Sequence, residues 1–127
     1  MHSRILVHLA SADLAGLWRT FLRRKGVEAV VGQSGEDLAA HFISLKGAVD
    51  LILLDVGIGR TNVTLITRQI RESSARMGIR LAPMIALSQN PRLNFCQSHP
   101  MGADALRVFP GSSGQLMRIL AEFSAVA

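Results

Sequence analysis

The 127-residue chain has no tyrosine, one cysteine, four prolines and only two lysines, and each scarcity excludes something. A lone Cys96 cannot close an internal disulfide, which fits a reducing compartment. No apolar run approaches the roughly 18 residues needed to cross a bilayer. The N-terminal MHSRILVHLAS is strand-like and too short in its apolar part for a signal peptide. Aromatic residues make up 5% of the chain and are not interleaved with the basic ones, so there is no stacking platform for single-stranded nucleic acid. A cytoplasmic protein with no membrane association is expected.

What the chain does have is apolar material and arginine. Hydrophobic residues make up 49% of it, enough at this length to bury a core without metals or disulfides. The formal net charge of +5 comes almost entirely from arginines scattered along the chain. The densest cluster, Arg23-Arg24-Lys25, falls at a predicted helix end, where cations complement the helix dipole. Solvated helix faces account for this charge, and nucleic acid is not expected as a partner. His2, His8, His41 and His99 show no metal-ligand spacing with one another or with Cys96. His8 reads as a packed, satisfied histidine and Cys96 as a small buried hydrophobe.

Strand and helix signals alternate five times. Strands are predicted at 4–9, 27–31, 51–54, 83–87 and 105–109. Helices are predicted at 12–25, 34–45, 64–77 and 112–123, with a weaker one across 91–101. Leu14, Leu17, Trp18, Phe21 and Leu22 recur at helical spacing and are closed by Gly26. Ser34 with Asp37 opens the second helix, and the Gly-rich 110–114 segment reads as the loop and cap before the last. Five β/α units in 127 residues predict one domain over 1–127. Its expected fold is α/β, a doubly wound five-stranded parallel sheet of order 2-1-3-4-5. The run DLILLDVGIG is a strand buried on both faces that ends in Asp55, at the carboxyl edge where such sheets place their sites.

RILVHLASADLAGLWRTFLRRKG, DLILLDVGIG, APMIALSQN and MGADALRVFP, in that order and spacing, resemble the CheY-like receiver domain of two-component response regulators over essentially the whole chain. The resemblance places Asp55 at the phospho-accepting aspartate and Ser88 at the switch hydroxyl that meets the phosphoryl group. The family's acidic pair, which helps hold a divalent cation, falls on Leu9 and Ala10. Its lysine before proline falls on Phe109 and its switch aromatic on Leu106, while Gly59 replaces the proline after the aspartate loop. By the same resemblance the Phe109–Pro110 bond is expected to be cis, with Phe109 filling the lysine's space between Leu9 and the aspartate loop.

Phosphoryl transfer depends on neutralising the phosphoryl oxygens with metal and lysine. One carboxylate beside Leu9 and Ala10 offers magnesium little, so no cofactor is expected and magnesium binding should be weak or absent. The expectation is therefore a degenerate receiver, not an enzyme: a signalling interaction module independent of conventional aspartyl phosphorylation. Its partner would be a histidine kinase, phosphotransfer or output protein. The face made by 91–101, the fifth strand and the closing helix would serve for docking or homodimerisation, with Ala105, Arg107 and Arg118 on it. The alternative is an atypical receiver still phosphorylated at Asp55. A third option is a small-ligand binder using an emptied, apolar pocket around Leu9, Ala10, Asp55, Ser88 and Phe109.

Overall fold

The computed structural model describes residues 3–89 and 100–123. Within them the chain forms β1 (Ser3–His8), α1 (Ala12–Arg24), β2 (Val27–Val31), α2 (Gly35–Ser44), β3 (Leu51–Asp55), α3 (Arg60–Met77), β4 (Met84–Ser88), β5 (Ala105–Val108) and α4 (Ser113–Glu122). The five strands make one sheet in the order β2-β1-β3-β4-β5, and every pairing is parallel. This is the expected doubly wound arrangement. The predicted helix at 91–101 falls mostly on 91–99, outside the described residues, as does Cys96. Its end meets a 3-10 turn at Pro100–Gly102. No helix among the described residues is long and apolar enough to cross a membrane.

Strand periodicity sorts the core into two layers. Ile5, Val7, Leu51, Leu53, Ile85 and Leu87 face α1 and α4, where Trp18, Leu22, Leu116 and Leu120 cover them. Leu6, Ile52, Leu54, Met84 and Ala86 face α2 and α3, under Leu38, Phe42, Val63, Ile66 and Ile70. All four apolar residues of β3 are fully buried, as a central strand of a covered parallel sheet requires.

Local chemistry agrees with these boundaries. The hydroxyls of Ser11, Ser34 and Ser112 accept hydrogen bonds from the third residue on, capping α1, α2 and α4. Gly26 takes a left-handed φ of 77° just past α1. The third helix begins four residues before the predicted Thr64, because no side chain caps it and its first turn, Arg60-Thr61-Asn62, carries no apolar residue to announce it.

The approach to β5 is anchored by α3. The Arg71 guanidinium donates to the Gly102 carbonyl at 2.7 Å and to Asp104 at 3.2 Å. Asp104 in turn accepts from the Met84 backbone N–H at 2.8 Å, which fixes the entry to β5 against β4. On the same side of the sheet Phe42 pins α2 and is fully buried. Phe42→Ala should cost about 3–5 kcal/mol of stability, read as a lower urea midpoint with unchanged slope.

Candidate functional site at the carboxyl edge of the sheet

Parallel pairing brings the carboxyl ends of the strands to one level. His8 pairs with Leu54, Asp55 with Leu87 and Ser88 with Val108. A strand whose preceding side chains are all buried can turn polar only where it leaves the sheet, and β3 does so at Asp55. Its Oδ1 accepts from the Gly57 N–H at 2.8 Å, capping the 3-10 turn Val56–Ile58. A Cβ at Gly57 would lie 3.0 Å from that oxygen, so the turn suits glycine. The other oxygen, Oδ2, accepts from the Ala10 N–H at 3.0 Å. One carboxylate therefore ties the β1–α1 loop to the β3–α3 turn.

The positions singled out by the resemblance separate into two groups. Asp55, Ala10 and Ser88 share this edge, with Ser88 4% exposed and its carbonyl accepting from the Phe109 N–H at 2.8 Å. Leu9 is instead a core residue, 8% exposed and packed in the layer under α1 and α4. Leu106 is buried in the opposite layer. Phe109 is half-buried, and its ring centroid lies 5.6 Å from that of Trp18 at a 31° tilt. It joins the layer that contains Leu9, while Val56 and Ile58 of the aspartate turn pack in the other. The expectation that Phe109 would plug the space beside the aspartate loop is thus corrected. An aromatic ring gains more by stacking on Trp18 than by standing against a carboxylate. The Phe109–Pro110 bond is trans, not cis as expected. Trans is the lower-energy isomer, and a ring turned toward α1 has no group to deliver to the acid.

The groups around Asp55 are few. Both Asp55 oxygens accept from backbone donors, Leu9 and Ala10 bring no carboxylate, and no group of three His, Cys, Asp or Glu residues able to hold a metal occurs among the described residues.

On the far side of β5, Arg107 holds Glu122 through both Nε and Nη2, the shortest contact being 2.7 Å, and lies 5.2 Å over the Phe123 ring. Those hydrogen bonds draw the Glu122 carboxyl below its usual value and raise the Arg107 guanidinium. Arg107 therefore staples β5 to α4, while Arg118 and Val108 remain exposed.

His8 is the residue whose importance sequence reasoning missed. It was expected to be satisfied, yet Nδ1 is buried with no hydrogen-bond partner among the described residues and the residue is 7% exposed. Burial lowers its pKa below 6.5, opposed by the charges of Asp55 and Asp37. Its ring borders a cleft of about 470 Å³ between the starts of α2 and α3. The available signal was a polar residue closing the apolar run Ile5-Leu6-Val7. None of Leu9, Ala10, Asp55, Ser88 or Phe109 lines this cleft.

No protein-family model and no curated protein matches this sequence. Solved structures do match it. The chemotaxis response regulator CheY4 of Vibrio cholerae superposes with a TM-score of 0.76 at 18% identity, covering 97% of this chain and 99% of that one. Response regulator TrrA of Thermotoga maritima, solved with Mg(2+)-BeF, gives 0.71 at 22% identity over 95% and 98%. A complex of the histidine kinase ThkA with TrrA gives 0.69 at 21% identity over 95% and 97%. The fold is that of a receiver domain.

Two outcomes follow from this geometry. In Asp55→Asn the amide can keep only one of the two backbone donors satisfied, so stability should fall by about 1–3 kcal/mol in urea unfolding. For His8, the unfolded chain takes up a proton below pH about 6.5 that the native protein resists. The His8 contribution is thus fully present above that pH and is lost progressively as pH falls toward the lowered native value. His8→Gln should flatten that part of the stability profile between pH 7.5 and 5.5.

Proposed function

We propose that this protein is a degenerate receiver, a signalling module that engages protein partners without a conventional magnesium-dependent aspartyl phosphorylation cycle. The observation that carries the reading is the engagement of Asp55. Both of its oxygens accept from backbone N–H groups, in the place where metal and lysine would meet a phosphoryl group. Phosphorylation there would add close to two negative charges beside Leu9, with no cation supplied by the positions that matter. Magnesium should accordingly bind weakly, and the module should work without a cofactor or an enzymatic activity of its own.

The partner is a signalling protein of the two-component kind: a histidine kinase, a phosphotransfer protein or an output protein. The ThkA–TrrA complex supports that class, being a receiver fold engaged by a kinase. The face offered is that of β5 and α4, through Ala105, the exposed Val108 and the exposed Arg118, and homodimerisation would use the same face. Arg107 contributes by holding that face rigid through Glu122. A cytoplasmic location suits such a module.

A second reading, phosphorylation at Asp55 by an atypical route, draws on the shared edge of Asp55 and Ser88. Intact mass after incubation with acetyl phosphate and magnesium separates the two. No phosphoryl adduct is expected on the native chain, and an adduct abolished by Asp55→Asn would establish the second reading. Leu9→Asp, Ala10→Asp and Phe109→Lys together should bring a saturable magnesium response, seen in amide shifts near Asp55, at a cost in stability from the buried Leu9 position. Arg118→Glu should weaken partner binding by roughly tenfold, about 1.4 kcal/mol. Asp55→Asn should leave that binding unchanged while the fold persists.

A further inference from the structure

The cleft between the starts of α2 and α3 is not used by the reading above, and its chemistry is specific. Among its lining residues is His8, more than nine-tenths buried, whose Nδ1 has no hydrogen-bond partner among the described residues. A buried nitrogen without a partner is costly, and native structures keep few of them without a reason. One wall rises from Gln33 and Glu36 at the opening of α2, the other from Leu65 and Gln69 of α3, with Ile58 and Ile66 completing an apolar strip. Leu65 is 44% exposed, so apolar surface is held open to solvent along the lip.

The charges decide which kind of ligand fits. Glu36 lines the cleft, and Asp37 and Asp55 both lie near enough to His8 to act on it electrostatically. An anion drawn by the dipole of α2 would meet Glu36 and Asp37 in that helix's first turn, which already answer the dipole along with the Ser34 cap. A bare metal ion lacks a ligand set, since no suitable group of three occurs among the described residues. A positive group that donates hydrogen bonds satisfies the carboxylate and carboxamide rim, and an attached hydrocarbon body covers Leu65 and Ile66.

We propose that this cleft binds a small organic cation, an alkylammonium or guanidinium group carried on a short apolar body. The cation sits among Glu36, Gln33 and the imidazole edge of His8, and the body lies along α3. The site is independent of phosphorylation and of the β5–α4 face, so its failure would leave the proposed function standing.

The experiment is a titration of the full chain with n-butylammonium, followed by amide and imidazole NMR shifts at constant ionic strength. n-Butanol and butyrate serve as neutral and anionic controls, and capped lysine as a peptide-borne cation. Saturable shifts at Gly35, Glu36, Leu65 and the His8 ring are expected for n-butylammonium, with neither control saturating. Glu36→Gln should weaken binding about three- to fivefold, as expected for a partly exposed charge pair. Leu65→Ala should also weaken it, and both residues are exposed enough to leave the fold intact. The proposal is overturned if n-butylammonium gives no saturable shift, if n-butanol binds equally well, or if neither substitution changes the affinity. Tighter binding of capped lysine would overturn the assignment to a small molecule.

Discussion

The central strands β1, β3 and β4 are covered on both faces by helices, and the placement of every chemically active group answers to that constraint. Where both faces of a strand are apolar, a charged side chain inside the sheet would lose its hydration with no partner to replace it. Polar groups are therefore driven to the strand ends, and the parallel register brings those ends to one edge. Asp55, Ser88 and His8 occupy that edge for the same reason. Each is the last residue of its strand.

At that edge the way a carboxylate is satisfied governs what it can do. Asp55 has two oxygens and finds two backbone donors, Gly57 in its own turn and Ala10 across the edge. Backbone N–H groups bring partial charge, enough to stabilise one carboxylate. The neighbouring positions Leu9 and Phe109 carry no charge and pack against the core. Leu9 packs under α1, and Phe109 stacks toward Trp18. That carboxylate is a joint between two loops.

The two flanks of the molecule differ in how they use their polar residues. On β5 and α4 the bidentate Arg107–Glu122 pair, with the Phe123 ring beneath it, satisfies the cation within the chain and leaves Val108 and Arg118 facing outward. Such an exposed pair adds little to stability, but it sets the position of the closing helix against the edge strand. Between α2 and α3 the opposite holds. There the buried His8 Nδ1 has no partner among the described residues, while carboxamides and a carboxylate line open space. The first flank presents a finished surface and the second an unfinished one.

The sequence alone determined the order of elements, the sheet and its two-layer core, because period-two and period-3.6 patterning are local and each face must be buried. It also determined the caps at Ser34 and Ser112, the turn at Gly26 and the position of Asp55 at a strand end. It misjudged the start of α3, where neither a capping side chain nor an apolar residue marks Arg60 to Asn62. The rest was decided by tertiary structure, because it depends on residues distant in the chain. Nothing near Asp55 in sequence announces that Ala10 will donate to it across 45 positions. Phe109 could face the acid or Trp18, and only the packing of α1 on the sheet, which brings Trp18 beside it, settles which. The missing partner of His8 is likewise a property of everything around it: a histidine ending an apolar strand looks the same in sequence whether its nitrogen is bonded or left over.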